Sequence, residues 1–221
     1  MVWGLRMNLD EIFVEVKRKL DDYYEKREDF YRKTRDILIK VRKIMVFMHQ
    51  KRVDEAMREI TNLRELIKGL NVVFKEEPRL RYSNLWIDTA KEVAEAILFY
   101  EIMVQLIEGK GEIKISSPYD LGVPEESWIL GLAEVTGELR RQAMLALKDG
   151  NIHLAFKIKD FIGKIYENLS MMPYPSSIIP NIKGKVDYVR SILVGLEEKI
   201  IEISIQSELD EKIKKLLFKF S

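Results

Sequence analysis

Two glutamates one helical turn apart stand in an unusually apolar stretch of the sequence, WILGLAEVTGELRR (128–141). Glu134 and Glu138 are surrounded there by leucine, isoleucine, alanine and valine, so we expect at least one of them to be partly buried. A buried carboxylate is unfavourable unless it is paired, hydrogen-bonded or bound to a metal ion. The first question is therefore what neutralises these two side chains.

A second set of carboxylates occurs upstream, in IDTAKEVAEAILFY (87–100). Asp88, Glu92 and Glu95 have the spacing i, i+4, i+7, which places them on one face of a helix. If this face packs against Glu134 and Glu138, four or five carboxylates converge and repel one another. Mg²⁺ or Mn²⁺ would relieve that repulsion, because both ions prefer oxygen ligands. A metal ion held in this way activates water against a phosphodiester.

Spacing alone favours a simpler interpretation of the same residues. Glutamates at helical spacing usually form a solvated face or pair with basic side chains, and Lys91, Arg140 and Arg141 are nearby candidates. Periodicity by itself does not decide between a paired cluster and a metal site.

Composition excludes several other chemistries. The 221-residue chain contains no cysteine and only two histidines, His49 and His153, so thiolate sites and multi-histidine metal sites are excluded. Neither G-x-x-x-x-G-K-[ST] nor G-x-G-x-x-G occurs. The formal charge is only +1 and no apolar run is long enough to span a membrane. The N-terminus lacks the apolar core of a signal peptide. We expect a soluble, cytoplasmic protein with a single domain over residues 1–221.

Helical periodicity organises the whole chain. An apolar stripe predicts a first helix of about 40 residues from Leu9 to Met48, interrupted only at Arg27. Further helices are predicted from 53 to an end between Gly69 and Pro78, from after Pro78 to 108, and over 125–148, 152–172 and 183–207. A short strand is expected at 113–115 and an amphipathic tail at 209–220. The pattern predicts an all-α bundle whose first helix is too long for one small core to cover, and hence an oligomer.

The amino-acid sequences of several of these segments resemble those of the translin family. WILGLAEVTGELRR is similar to YLLGLADxTGELMR, the signature of the translin-associated factor X branch. LDEIFVEV near the start, TRDILIKVRKIMVFMHQ (34–50) and KEVAEAILFYEIM (91–103) are similar to further family segments. Residues 185–205 look like its last long helix, so the resemblance extends over nearly the whole chain in the family's order.

This resemblance implies a translin-like fold of about seven helices that assembles into a closed shell, an octamer or a hexamer. It also implies binding of single-stranded RNA, or single-stranded DNA, by a homo-oligomer. In the translin-associated factor X branch it implies a Mg²⁺- or Mn²⁺-dependent endoribonuclease. Its catalytic and metal-binding carboxylates fall on Glu92, Glu95, Glu134 and Glu138.

One departure affects the expected activity. The active branch has aspartate where this chain has Glu134, and the additional methylene moves the carboxylate by about one C–C bond, whereas Mg²⁺ demands near-ideal distances. Two alternatives to the nuclease therefore stay open: a non-catalytic translin-like ring that binds RNA or DNA, and a helical scaffold without a nucleic-acid role.

Within the basic and aromatic first helix, we predict that Arg35, Lys43 and His49 contact nucleic acid.

Overall fold

The computed structural model describes residues 8–109 and 111–219. These residues form seven α-helices and one short 3₁₀ helix, and no strand occurs among them. The prediction of an all-α chain of seven helices with a very long first helix is confirmed. Within the same residues no helix is long and apolar enough to cross a membrane.

Helix α1 spans Leu9–His49 and begins with a capping box, in which Asn8 and Glu11 satisfy each other's backbone amides. Only its second half belongs to the core, where buried residues follow the predicted stripe from Phe30 onward. The first half of the stripe is uncovered: Leu9 is 68% exposed and Phe13 67%. The expectation that α1 extends beyond the monomer core is confirmed.

Helix α2 spans Val53–Glu76 and packs along α1. A 3₁₀ helix over Pro78–Tyr82 then precedes α3, which spans Asn84–Glu108. Helix α3 begins after Pro78, as predicted, and Ser83 caps it by accepting a hydrogen bond from the amide of Trp86. Gly109, in the left-handed conformation, ends α3 where the sequence predicted.

The predicted strand at 113–115 is wrong. Side chains of α3, and not a neighbouring strand, form hydrogen bonds with the backbone of this segment. The Gln105 side-chain amide accepts from the Lys114 amide and donates to the Lys114 carbonyl. Glu101 accepts from both the amide and the hydroxyl of Ser116. Because these backbone groups already have partners on α3, they need no neighbouring strand.

A one-turn helix, α4 (Pro118–Leu121), was not anticipated; it leads into α5 (Glu125–Lys148) and α6 (Ile152–Ser170). Helix α7 then spans Ile182–Lys219 without a break. The separate tail predicted after residue 207 is therefore wrong up to Lys219, since no glycine or proline follows Gly195 to end the helix. Phe220 lies outside the described residues.

Helix α3 is the centre of the bundle, as its all-round apolar back half predicted. It packs mainly against α5 and also against α1. The contact with α5 is close at Gly131, where a Cβ atom would lie 2.7 Å from the carbonyl oxygen of Lys91 and 3.0 Å from the amide nitrogen of Glu95. Glycine at this position therefore sets how near the two helices can approach.

We expect Gly131→Ala to lower the free energy of unfolding by about 1–3 kcal/mol, because the added methyl group must push α5 away from the α3 backbone. Gly163→Ala is the matched control: that glycine lies within α6 with open space at its Cβ position. The control should raise the free energy of unfolding by about 0.5–1 kcal/mol through helix propensity. Denaturant unfolding at a fixed protein concentration measures both, and equal effects would contradict the close contact.

Candidate functional site

The contact between α3 and α5 brings the two carboxylate segments together. Glu134 and Glu138 follow Gly131 by three and seven residues, so they lie on the face of α5 that meets α3. Both side chains are only 25% exposed. The same approach places the backbone of Glu95 against α5. Apolar residues around the glutamates in the sequence thus reflect a face that is packed against a neighbouring helix.

Glu95 is the carboxylate most affected by this arrangement. Burial, followed by the negative charges of Glu92, Glu134 and Glu138, raises its pKa to about 7, against the opposing effect of Lys91. The structure therefore brings the four glutamates singled out in the sequence into one electrostatic cluster, which we call the carboxylate cluster. Asp88 is exposed and lines a shallow hollow beside Glu92.

Two lysines from different helices partly neutralise the carboxylate cluster. Lys185, in the first turns of α7, donates a hydrogen bond to Glu134 Oε1. Lys91 Nζ lies 3.4 Å from Glu92 Oε1 and 4.0 Å from Glu134 Oε1. Pairing with Lys91, which the simpler interpretation anticipated, is therefore present, but among the described residues no lysine forms an ion pair with Glu95 or Glu138.

Glu138 faces the end of α1. Its Oε2 atom lies 3.4 Å from His49 Nε2, and Arg141 Nη1 lies 3.1 Å from the same nitrogen. Burial lowers the pKa of His49, and Arg141 lowers it further against the opposing effect of Glu138, so the imidazole is neutral at pH 7. Neutral Nε2 then accepts from Arg141, and Glu138 Oε2 is left buried without a hydrogen-bond partner.

The donors of the carboxylate cluster suit a hard divalent cation, since they offer carboxylate oxygens from two rigid helices. The buried, unpartnered Oε2 atom of Glu138 and the mutual repulsion at Glu95 are the two observations that favour such an ion. Within residues 8–109 and 111–219, however, no three histidine or acidic side chains are arranged to hold one metal ion. Glu134 is engaged by Lys185 instead.

The three predicted nucleic-acid contacts are distributed unevenly. His49 reaches the carboxylate cluster, and Arg35, which is exposed, lies two heptads earlier on nearly the same face of α1. Exposed Lys43 lies about 80° around the helix from Arg35 at 100° per residue. Exposed Arg42 falls between Arg35 and His49 and lines the hollow beside Glu92. His153 is exposed on α6.

Sequence reasoning missed Lys185 and Tyr188 as members of this site. Both lie on α7, about 50 residues beyond Glu134, so no spacing rule connects them to α5. Burial raises the pKa of the Tyr188 hydroxyl, and Glu134, Glu95 and Glu138 raise it further. One signal was available: a Cβ atom on Gly137 would lie 2.6 Å from the Tyr188 hydroxyl oxygen, so the glycine of TGEL makes room for that side chain.

The chain is thus an all-α protein, a bundle of long helices in which α3 and α5 bring glutamates together. The sequence profile of the translin family matches residues 25–207, and the chain belongs to the translin family.

Known proteins resemble the chain over most of its length. It is 30% identical to an uncharacterized protein of Methanocaldococcus jannaschii over 164 residues, which cover 74% of this chain and 69% of the relative. The crystal structure of AfC3PO aligns with a TM-score of 0.77 at 25% identity, covering 88% of this chain and 97% of AfC3PO. Apo-NeC3PO aligns with a TM-score of 0.73 at 24% identity, covering 91% and 100% of the two chains, which shows the shared fold.

The pKa of Glu95 predicts a specific pH dependence. Because the folded protein binds this proton up to about pH 7 whereas the unfolded chain releases it near the ordinary value of 4.5, the glutamate destabilises the fold as pH rises between these values. Glu95→Gln should therefore be more stable than wild type at pH 8 and nearly equal at pH 5. Thermal unfolding in EDTA from pH 5 to 8 measures this, with exposed Glu167→Gln on α6 as the control. A difference that does not change with pH would contradict it.

Proposed function

We propose that this chain is a metal-dependent endoribonuclease of the translin-associated factor X type, cleaving single-stranded RNA inside a closed homo-oligomeric shell. The observation that carries the proposal is the convergence of Glu92, Glu134 and Glu138 on Glu95, whose pKa burial and these neighbours together raise to about 7. A carboxylate poised near neutral pH is suited to proton transfer, and its neighbours are the ligand type that Mg²⁺ and Mn²⁺ prefer.

The four glutamates, Glu92, Glu95, Glu134 and Glu138, would hold the divalent ion. When bound, such an ion supplies electrostatic stabilisation of the phosphate charge and lowers the pKa of attacking water. Without a cation Glu95 has a pKa of about 7, which suits a carboxylate that would accept the proton of that water. Hydrolysis of this kind needs no nucleophilic side chain from the protein.

RNA would approach the carboxylate cluster along one face of α1. Arg35, Arg42 and His49 follow each other at seven-residue intervals, so they form a nearly straight line that ends beside Glu138. Arginine side chains in such a line can neutralise successive phosphates. A second structure, that of AfC3PO in complex with duplex RNA, aligns with this chain with a TM-score of 0.76 at 24% identity. Single-stranded and duplex RNA should therefore both be tested as substrates.

The expected homo-oligomer, an octamer or hexamer, would cover apolar surface that the single chain leaves open. Leu9, Phe13 and Leu20 of α1 are all more than half exposed, and so are Ile201 and Ile205 of α7. Burying these side chains between copies would remove them from water, which is the usual driving force for association.

A second candidate function is a non-catalytic ring that binds RNA or DNA. The observation that favours it is the hydrogen bond between Lys185 and Glu134, because an ammonium ion already satisfies the one carboxylate that departs from the aspartate of the active branch. In this case RNA binding would depend on salt and not on Mg²⁺.

A cleavage assay separates the two functions. Labelled single-stranded and duplex RNA, incubated with Mg²⁺, Mn²⁺ or EDTA, should be cut only with metal. Glu95→Gln and Glu138→Gln should each reduce cleavage by a hundredfold or more, as expected for loss of a proton acceptor or metal ligand. Glu167→Gln on α6 should cleave at the wild-type rate.

Metal-independent RNA binding without cleavage, in wild type and at all tested Mg²⁺ and Mn²⁺ concentrations, would establish the non-catalytic ring instead. Absence of RNA and DNA binding at low salt would overturn both candidates and favour a scaffold. Each variant's oligomeric mass, measured by light scattering, shows whether lost cleavage has a structural cause.

Arg42→Gln should weaken RNA binding to a similar extent for different sequences, because the proposed contact is to phosphate. The slope of log Kobs against log salt should fall by about one. Arg58→Gln, which removes an equally exposed arginine from α2, should leave both quantities unchanged. Fluorescence anisotropy between 50 and about 200 mM salt measures them. Equal weakening by the two substitutions would indicate a diffuse effect of net charge and contradict the α1 path.

A further inference from the structure

We infer that Lys185 is a positioning residue: it is the resident counter-cation of the carboxylate cluster and competes with a divalent metal ion for Glu134. This inference rests on the proposed function in one respect, that the cluster binds a divalent ion. It goes beyond that function by assigning a role to a residue of α7, which supplies none of the four carboxylates.

The position of Lys185 is defined by two contacts. Its ammonium group donates a hydrogen bond to Glu134 Oε1 and lies 5.6 Å from the centroid of the Tyr188 ring one turn later in α7. The side chain is only 23% exposed. An ammonium group withdrawn from water is stabilised where anions and an aromatic face replace the lost hydration. Both replacements are present here.

The charge balance indicates why this lysine matters more than Lys91. Lys91 Nζ lies between Glu92 and Glu134, at 3.4 Å and 4.0 Å, so its charge is shared between two carboxylates of neighbouring helices. Lys185 makes the direct hydrogen bond, and its Nζ is nearer to Glu134 Oε1 than the Nζ of Lys91 is. A cation that binds this oxygen would therefore meet the Lys185 ammonium group first.

Competition follows from elementary electrostatics. A divalent ion that binds Glu134 must either displace the Lys185 ammonium or accept a positive charge a few ångströms away, and both options weaken its binding. The four-carbon lysine stem has rotatable bonds, so the ammonium can leave without movement of α7. Removing the positive charge should therefore strengthen metal binding, whereas removing a residue that helps to hold the metal would weaken it.

The test compares Lys185→Met with Lys183→Met. The control removes the same charge from an exposed position two residues earlier on α7. Mn²⁺ affinity is measured by calorimetry on the full chain at low ionic strength. Lys185→Met should bind Mn²⁺ roughly tenfold more tightly or better, while Lys183→Met and the charge-preserving Lys185→Arg should both match wild type.

Thermal unfolding provides a second readout that does not depend on RNA cleavage. In EDTA, Lys185→Met should unfold at a lower temperature than wild type, because Glu134 then faces the other carboxylates without its partner. Mn²⁺ should restore that loss more than it stabilises wild type. The double variant Lys185→Met/Glu134→Gln should also recover stability in EDTA, since it removes the uncompensated charge. This variant keeps the inference testable if Lys185→Met alone folds poorly.

Three results would overturn the inference. These are Mn²⁺ affinity of Lys185→Met equal to or weaker than wild type, equal tightening by Lys185→Arg, and no Mn²⁺ binding by any variant. Failure of the nuclease is distinguishable from these: tighter Mn²⁺ binding by Lys185→Met with no RNA cleavage in any protein supports the counter-cation while removing the proposed activity.

Discussion

The close approach of α3 and α5 at Gly131 is the constraint on which the rest of this molecule depends. A side chain at that position would meet the backbone of the facing helix within 3.0 Å, so the two helices can touch only because the residue is glycine. The same face carries Glu134 and Glu138, and the facing turn carries Glu92 and Glu95. Packing and charge are thus linked, because the contact that builds the core also forces four carboxylates together.

Such a concentration of negative charge has to be offset, and the fold does this from three sides. Lys91 comes from α3 itself, Lys185 from α7, and Arg141 lies beside the His49 imidazole at the end of α1. These groups serve Glu92, Glu134 and the neighbourhood of Glu138, and they leave Glu95 to respond by taking up a proton near neutral pH. The negative charge of the cluster is therefore offset enough for the protein to fold, but it is incompletely offset at Glu95 and Glu138.

Helices that follow a strong apolar period were predictable from the sequence, and α1, α2, α5 and α6 lie close to their predicted bounds. The error at 113–115 arose because two isoleucines in alternation predict a strand, whereas Gln105 and Glu101 supply the missing backbone partners from α3. Spacing also placed Glu92 with Glu95 and Glu134 with Glu138. It could not bring Lys185 to Glu134, since contacts between distant helices depend on the packing of the whole bundle.

Glu134 and Lys185 are best considered as one unit. An aspartate at position 134 would hold its carboxylate closer to the α5 backbone by about one C–C bond, and so farther from an ammonium group that approaches from α7. The longer glutamate reaches Lys185 and is neutralised by it. The longer side chain of Glu134 and the presence of Lys185 therefore have the same effect: both favour pairing of this carboxylate with the lysine over binding of a free cation. A metal ion at this cluster would have Glu95 and the unpartnered oxygen of Glu138 as its most available ligands, with Glu134 joining only when Lys185 releases it.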